Sequence, residues 1–439
     1  MKKLLSKALE VAEQAEVYVR EISSNSVNIK LDELKEVNSK KKTEISLRIV
    51  KDGNMGTAVA TSLDDETIID RAVIALKNQK SEAIVFPNKE NAADVISWSE
   101  EIKNMDTKKL TDFAFEQSKR LKDAADDINF GVNATRSYRK VHILNSSGFD
   151  KCYEYTNLSL SLSTITDKGF AGASKEFSTG KIPQVNTEDI QDLIKMHRLS
   201  SNPITLDNEK MPVIFTGKVM GSLMLRVLGG VNGGNVVKDI SPLKNKVGQQ
   251  LFSKNITIRD DGKMPFGVNT CLFDDEGTPS QNTMLYDKGV LKNYLVGISQ
   301  SKKLDKDPTG NAFKRTLFSK EIEDKPAVFD TNIVIEGNHK DDKEIIKGIK
   351  RGLFITGVMG AHTGNINQGE FSMNISSGYL IEDGKLVGQV KGSMIAGNIY
   401  DLFKNIEAVG TKYEVMRSIF YHMGYSPMVC FSSANIVGK

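Results

Sequence analysis

The sequence predicts an α+β fold, in which an interleaved α/β N-terminal domain of residues 1–200 is followed by a β-rich, mainly antiparallel C-terminal domain of residues 201–439. Three observations lead to this prediction. Helical and strand-like periodicities alternate through the first half of the chain. A polar segment, 200–210, then interrupts the pattern and contains Pro203. Beyond it glycine becomes frequent, and short strand-like runs meet in turn sequences.

The N-terminal half contains helical patterns separated by strand patterns. Four stretches have apolar residues at helical spacing, namely 4–15, 64–78, 106–125 and 188–196. The clearest hairpin joins an alternating run, 44–51, to 55–61 through the turn residues Asp52, Gly53 and Asn54. Further strands are predicted around 17–22, 141–144 and 158–166.

The C-terminal half predicts few helices and many short strands. Helical spacing is found at 219–228, 343–350 and 399–408. The turn sequences Asp-Lys-Gly at 287–289 and Glu-Asp-Gly at 382–384 are typical of tight connections between antiparallel strands.

Composition favours a soluble protein of the cytoplasm. Cys152, Cys271 and Cys430 are widely spaced and odd in number, so they predict neither a disulfide framework nor a paired metal motif. The net charge of +3 and the mixing of basic with acidic residues argue against direct nucleic-acid binding. Glutamates interrupt the N-terminal segment where a signal peptide would be apolar, and no stretch approaches the roughly 18 apolar residues of a membrane helix. We therefore expect no membrane partner.

A glycine-rich segment, 229–234, follows the helical pattern at 219–228. A phosphate-binding loop follows a strand and opens a helix, with a lysine and a hydroxyl placed on the phosphates. Here the glycines come after the helix, so the sequence predicts that they end it as C-caps.

Two groups of residues could carry chemistry. No two of the five histidines are four residues apart, so no helix face offers paired imidazoles to zinc. A composite site stays open, in which His362, His422 and Cys430 converge with Glu370; surface or core roles are the alternative. Three consecutive acids, 274–276, precede Gly277 and could serve acid–base chemistry, hold a cation, or mark a solvated turn.

Several ordered segments carry a resemblance to one family across nearly the whole chain. They are 15–19, 47–53, 273–281, 289–295, 309–312, 369–372, 378–385 and 395–398. With these segments the chain resembles the TldD/PmbA family, whose members are described as modulators of DNA gyrase and as metallopeptidase components.

The resemblance implies that a metal motif has been lost from this chain. In the TldD branch the helix after a Pro-Val strand carries His-Glu-x-x-x-His, which binds zinc. The matching helix, 218–230, has Leu225 and Arg226 at the His-Glu pair and Gly230 at the second histidine. Leucine and glycine offer no donor atom, and a permanently charged arginine opposes a divalent cation. We therefore expect no catalytic residue, no metal and no cofactor in this chain.

By resemblance the chain is expected to be a TldE/PmbA-like, non-catalytic subunit in a zinc metallopeptidase. Its partner would be a TldD-like catalytic subunit that holds the zinc, and its substrates would be unfolded peptides. Candidate substrate-binding residues are Asp275, Glu276, Gly277, Gly369, Glu370 and Phe371. Two other hypotheses stay open: a stand-alone homodimeric binding or modulator protein, and a hydrolase with an unrecognised composite site.

Overall fold

A computed structural model describes residues 1–78, 86–87, 92–166, 171–315, 322, 325–418 and 421–438. Among them, the N-terminal part forms a six-stranded antiparallel sheet with helices packed against it. In chain order its elements are α1 (Lys2–Leu9), β1 (Gln14–Lys30), β2 (Glu33–Lys51), β3 (Asn54–Ala60), α2 (Thr67–Ala75), α3 (Glu100–Lys103), α4 (Thr107–Ala124), β4 (Asn129–Asn145), β5 (Asp150–Ile165), β6 (Ala171–Thr179) and α5 (Thr187–Leu199).

The strand order of this N-terminal sheet is β3-β2-β1-β4-β5-β6. The predicted hairpin forms between β2 and β3, and its turn residues Asp52 and Gly53 have φ of 49° and 68°. Positive φ at both central positions is what a two-residue hairpin turn requires. β1 is much longer than the run predicted at 17–22, because pairing with β2 and β4 satisfies the backbone of its polar second half.

Helices cover one face of the N-terminal sheet in two groups. Near the turn between β1 and β2, α4 and α5 bury Val27 and Ile29 of β1 in one hydrophobic cluster. At the other end, α1 and α2 pack on β1 and β2 in a second cluster. Helix α4 confirms the pattern predicted at 106–125, and Asp106 caps it by accepting a hydrogen bond from the Lys109 amide at 2.8 Å. Helix α1 ends at Leu9, earlier than predicted.

The C-terminal part is richer in strands. In chain order its elements are β7 (Pro203–Ile204), β8 (Glu209–Phe215), α6 (Gly217–Val231), α7 (Gly233–Val237), β9 (Ile256–Asp261), β10 (Asn282–Asp287), β11 (Val290–Leu291), α8 (Ile298–Leu304), β12 (Ala312–Phe313), β13 (Ala327–Val328), β14 (Ile333–Gly337), α9 (Asp342–Lys347), β15 (Arg351–Met359), β16 (Glu370–Glu382), β17 (Lys385–Val390), β18 (Met394–Asn398), α10 (Ile399–Leu402), β19 (Ile406–Val409), β20 (Glu414–Arg417), β21 (His422–Ser426) and β22 (Val429–Val437).

Most of these strands form two mixed sheets around helix α6, and β12 and β13 pair in a separate two-stranded sheet. One has the order β11-β10-β9-β14-β21-β20, and the other the order β15-β8-β22-β18-β16-β17-β7. Because β15 pairs with both β8 and β16, five strands of the second sheet close into a ring. The prediction of an α+β fold is confirmed. The helix predicted at 399–408 is wrong beyond Asn405, since β19 there pairs with β22.

The two parts of the chain share a hydrophobic cluster. Phe273, which lies in a loop of the C-terminal part, is 1% exposed. Its ring meets Phe149 and Tyr153 of the N-terminal part edge-on, with centroids 5.3 and 5.0 Å apart. Tyr18 and Phe313 belong to the same cluster. The domain boundary at residues 200 and 201 stays a prediction.

The longest helix in the described part of the chain is α4, with 18 residues. Neither α4 nor any other helix within those ranges combines the length and the apolar character that a bilayer crossing needs.

Replacing Phe273 with alanine should destabilise the whole chain, because the cavity would open where its two parts meet. We expect F273A to lower the free energy of unfolding by about 3–5 kcal/mol, measured by denaturant titration. F115A is the matched control. Phe115 is 37% exposed, so its replacement should lower the free energy of unfolding much less. Equal losses in the two variants would contradict a shared core.

Candidate functional site

Helix α6 lies at the centre of the C-terminal part and carries Leu225, Arg226 and Gly230, the positions at which the resemblance predicts a lost metal motif. Small residues let it approach neighbouring backbone closely. A Cβ on Gly217 would lie 1.9 Å from the Ser426 carbonyl oxygen, and one on Gly221 would lie 2.5 Å from the Arg417 carbonyl oxygen. The helix is therefore held against β20 and β21, and its side chains are almost all buried.

Arg226 is fully buried on this helix, with 0% of the residue exposed. Its Nε donates to the carbonyl oxygen of Glu370 at 2.6 Å. Its Nη1 and Nη2 donate to the carbonyl oxygens of Ala361 and Thr363 at 2.9 and 2.7 Å. Nη1 also reaches the Ser222 carbonyl of its own helix at 3.2 Å. Arg226 thus fastens the 361–370 segment to α6.

The partners of Arg226 are all neutral backbone oxygens. Burial lowers the pKa of Arg226 to about 10, so the guanidinium is still charged at neutral pH. Its Cζ atom also lies 5.9 Å from the centroid of the Phe371 ring, within the range of a cation–π contact. A fixed cation in this place repels a divalent metal.

Gly230 has no room for a side chain. A Cβ there would lie 2.4 Å from the hydroxyl oxygen of Tyr400 and 2.8 Å from Leu243. That hydroxyl is buried and has no hydrogen-bond partner among the described residues. Leu225 is 5% exposed and packs in the main apolar cluster. The three motif positions therefore fit neither zinc nor an imidazole at Gly230.

The prediction that glycines 229–234 end the helix as C-caps is wrong. Helix α6 continues through Gly229 and Gly230 to Val231, and Asn232 then caps α7 by accepting from the Gly234 amide at 2.9 Å. These glycines instead allow neighbouring segments to pack closely against the helices. A Cβ on Gly233 would lie 2.5 Å from the Leu295 carbonyl oxygen.

Gly369, Glu370 and Phe371 lie directly beside Arg226. Gly369 has φ of 84°, and a Cβ there would lie 2.7 Å from the Tyr400 ring, so glycine is required. Glu370 contributes its carbonyl oxygen to Arg226, and the residue itself is exposed. Phe371 is buried. Their predicted contact with substrate stays a prediction.

The side-chain carboxyl groups of the acidic turn at 274–276 accept hydrogen bonds from backbone amides. Asp274 is fully buried and accepts from the amides of Glu276, Thr278 and Ala312, each at 2.9 Å. Asp275 accepts from the Lys314 amide at 2.7 Å, and Glu276 from the Ile298 amide at 2.8 Å.

Burial raises the pKa of both Asp274 and Glu276, and the amide donors oppose the shift. Gly277 has φ of 79°, and a Cβ there would lie 2.5 Å from Pro87. This turn connects the two parts of the chain. The predicted substrate contacts of Asp275, Glu276 and Gly277 stay predictions.

The composite site does not form a metal-binding cluster among the described residues. In the described ranges, no three or more His, Cys, Asp and Glu side chains are placed to hold a metal ion. Cys430 is buried beside Ile214 and Ala408 in a separate apolar cluster, and burial raises its pKa to about 12. His362 is exposed in the segment that Arg226 fastens. A buried thiol with a raised pKa is a poor nucleophile and a poor ligand.

A groove of about 310 Å³ lies at the opposite end of α6 from the motif positions. It is bounded by the edge strand β6, helix α5, the first turn of α6, and strands β15 and β20. Its apolar lining comes from Phe177, Leu193, Met196, Phe354, Val415 and Met428. The groove therefore combines an apolar floor with the unpaired edge of a strand.

Charged side chains surround this groove in paired arrangements. Lys175 lies 3.0 Å from both Asp189 and Asp192. Glu176 lies 3.2 Å from Lys218 and 3.1 Å from Arg417. Burial by itself would raise the pKa of Glu176, but the two cations outweigh it and lower the pKa.

Main-chain groups of β6 face the groove. The Ser178 carbonyl oxygen accepts a hydrogen bond from the Tyr425 hydroxyl at 3.1 Å, across the edge that β5 does not occupy. Because strand geometry repeats every two residues, the main-chain groups of Ser174 and Glu176 are on the same side. The sequence did not predict this strand, because its only strand-favouring residues are Phe177 and Thr179 before a glycine.

The fold thus combines a six-stranded antiparallel sheet with two mixed sheets around helix α6, whose Leu225, Arg226 and Gly230 offer no metal-binding side chain. Residues 15–78 match domain 1 of the PmbA/TldA metallopeptidases, residues 100–198 match their central domain, and residues 208–438 match their C-terminal domain. The chain therefore belongs to the PmbA/TldD metallopeptidase family, and the resemblance drawn from the sequence is confirmed.

Relatives and solved structures agree with this membership. An uncharacterized protein of Methanocaldococcus jannaschii is 29% identical over 364 residues, which are 82% of each chain. The crystal structure of TldE from Thermococcus kodakarensis matches 100% of both chains with a TM-score of 0.90 at 22% identity. A Thermotoga maritima structure described as a putative modulator of a DNA gyrase covers 99% of this chain and 100% of its own, with a TM-score of 0.85 at 23% identity. At these identities the structures show the fold alone.

Removing the Arg226 side chain should be strongly destabilising, because three carbonyl oxygens of the 361–370 segment would lose their donors. We expect R226A to lower the free energy of unfolding by about 2–5 kcal/mol, measured by denaturant titration. R198A is the matched control, since the Arg198 side chain is 64% exposed in a 3.7 Å ion pair with Asp127 and its loss should change stability by less than about 1 kcal/mol. An R226A variant whose free energy of unfolding is unchanged would contradict the structural role of Arg226.

Proposed function

We propose that this chain is the non-catalytic subunit of a cytoplasmic zinc peptidase of the PmbA/TldD family. In this proposal a second, metal-bearing chain of the family performs hydrolysis, and the present chain helps to bind unfolded peptides. The observation that carries it is Arg226, which stands at the position of the motif glutamate. Its guanidinium is committed to backbone oxygens and cannot act as a general base.

The geometry at Gly230 supports the same proposal. Reinstating a histidine there requires displacement of Tyr400 and Leu243. The chain therefore lacks the space as well as the ligands for the metal. Hydrolysis by the family's chemistry would need another polypeptide to supply zinc, the activated water and the general base.

The groove beside β6 is the part of this chain best suited to an extended peptide. Apart from the Ser178 carbonyl oxygen, which accepts from the Tyr425 hydroxyl, the outward main-chain groups of β6 can pair with a peptide backbone whatever the peptide's sequence, which is how strand addition works. The apolar floor accepts occasional hydrophobic side chains. Peptides of many sequences would therefore bind, provided that they are unfolded.

Co-purification with a metal-bearing family chain tests the proposed subunit role. We expect cleavage of a fluorescein-labelled unfolded peptide only when both chains are present. After incubation with zinc and desalting, mass spectrometry should find about one zinc in the complex and no stoichiometric zinc in this chain alone, because the motif positions lack ligands. The control is a partner whose motif glutamate is replaced by glutamine. Cleavage by the present chain alone, with bound metal, would overturn the proposal.

Filling the groove should weaken peptide binding. We expect M428W to reduce the affinity of this chain for the same labelled peptide at least several-fold, measured by fluorescence anisotropy, because Met428 lines the groove and is half-buried. M428L is the matched control, since it keeps a similar side-chain volume. Thermal melts of both variants show whether they fold. Unchanged affinity of a folded M428W protein would exclude the groove as the binding place.

A further inference from the structure

A polar cleft of about 420 Å³ lies on the face of the N-terminal sheet opposite helices α4 and α5. Side chains alternate between the two faces of a strand, and Val132, Ala134, Leu158 and Leu160 pack on the helix side. The residues between and beside them line the cleft and pair across β4 and β5. They are all uncharged and polar, namely Asn133, Thr135, Ser137, Asn157, Ser159 and Ser161.

A smaller cavity of about 60 Å³ continues this cleft into the contact between the two parts of the chain. Arg139, Tyr155, Val268 and Asn269 line both spaces, which makes them neighbours. The lining of the smaller cavity is mainly basic. Among the described residues it includes Arg20, Arg139, Lys314 and Arg315 but a single acid, Asp275.

Two of the cations around these spaces are matched by carboxylates. The Nε of Arg20 lies 2.6 Å from Glu44. At the cleft, Nη1 of Arg417 lies 3.1 Å from Glu176. Such pairs neutralise each other, so neither arginine supplies a free charge for a ligand.

Lys314 and Arg315 are also occupied. The Nζ of Lys314 donates to the Ser46 hydroxyl at 3.1 Å, and burial lowers the pKa of Lys314 to about 7. Arg315 donates from Nη2 to the carbonyl oxygen of Asp330, and its Cζ lies 4.2 Å from the centroid of the Phe329 ring. Both side chains are thus fixed by their own surroundings.

Arg139 differs from these four residues. Within the described ranges it forms no ion pair and no hydrogen bond, and its buried Nε has no partner. Its Cζ lies 5.6 Å from the centroid of the Tyr155 ring, which stands opposite it on β5. A guanidinium withdrawn from water needs acceptors for its donors. Arg139 therefore offers one unmatched positive charge where the cavity meets the cleft.

Asn157 places a second donor near Arg139. It is 6% exposed, and its Oδ1 accepts from the hydroxyls of Ser159 and Ser178 at 2.8 and 3.0 Å. Its Nδ2 has no partner in hydrogen-bond geometry among the described residues. Asn157 is the diagonal cross-strand neighbour of Arg139, because Tyr155 is directly opposite. Diagonal neighbours are roughly 7–8 Å apart, so one oxyanion can reach both side chains.

We propose that this cleft binds the C-terminal carboxylate of a peptide, held between the Arg139 guanidinium and the Asn157 amide. A carboxylate carries one negative charge and so matches the one unmatched cation. A phosphate dianion would leave a charge without a partner in a partly buried space, which is costly. Arginine also binds carboxylates through two parallel hydrogen bonds.

The body of the peptide is expected to lie along the Asn, Ser and Thr side chains of the cleft. These groups donate and accept hydrogen bonds without carrying charge, so they suit peptide groups of any sequence. Glu176 and Phe177 line both this cleft and the groove beside β6, so a longer peptide can occupy the two together. The choice of a peptide rests on the proposed function, whereas the choice of a carboxylate rests on Arg139.

Two probes test the proposal on the isolated full chain by fluorescence anisotropy at fixed ionic strength. Both are pentaglycine with an uncharged BODIPY dye on the N-terminus; one ends in a free carboxylate and the other in an amide. We expect the free acid to bind at least about tenfold more tightly, because hydrogen bonds to ionised groups are stronger than neutral ones. R139Q should abolish this preference.

K140Q is the matched control, since it removes the same charge from the neighbouring position, which points to the opposite face of β4. It should keep the preference for the free acid. Thermal melts show whether both variants fold. Equal binding of the two probes to the wild-type chain, binding of neither, or a folded R139Q protein that keeps the preference would overturn the proposal.

Competition separates a carboxylate site from a phosphate site. Sodium acetate should displace the free-acid probe at lower concentration than sodium phosphate does, and the reverse order would overturn the choice of a carboxylate. None of these measurements needs zinc or a second chain. Failure of the two-chain complex to cleave peptides would therefore overturn the proposed function and leave the carboxylate preference intact.

Discussion

The buried carboxyl group of Asp274 is the constraint on which the joining of the two parts depends. A polar group removed from water must be matched by hydrogen-bond partners, and here the amides of Glu276, Thr278 and Ala312 supply them. The turn fixed in this way directs Phe273 into the core of the N-terminal sheet. The acidic run, which in the sequence could equally mark a catalytic site, thereby becomes the connection between the two halves of the molecule.

A buried arginine determines what the centre of the C-terminal part can do. Arg226 has a structural role, since its donors bind three backbone oxygens of the segment that crosses α6. The Tyr400 hydroxyl and Leu243 meanwhile occupy the space beside Gly230. Missing donor atoms, positive charge and filled volume act together, so no single substitution among Leu225, Arg226 and Gly230 would create a metal site. The chain keeps the family fold, and these three residues offer no metal-binding side chain.

The N-terminal sheet has two open edges with different surroundings. Strand β6 is enclosed by α5, α6 and β20, so its free main-chain groups face a sheltered apolar groove. The outer part of β2 projects beyond β3 and is open to solvent, with charges of opposite sign along its length.

The sequence by itself determined the α+β class, the long helix α4, the hairpin at Asp52 and Gly53, and the family, because these depend on local periodicity, turn chemistry and ordered motifs. It also showed that Leu225, Arg226 and Gly230 cannot bind zinc. Only the tertiary structure decided that Arg226 is a structural anchor, that helix α6 runs through its glycines, and that β6 borders a groove. Those features arise from contacts between residues far apart in the chain, such as Arg226 with Glu370, 144 positions away, and no local pattern encodes such contacts.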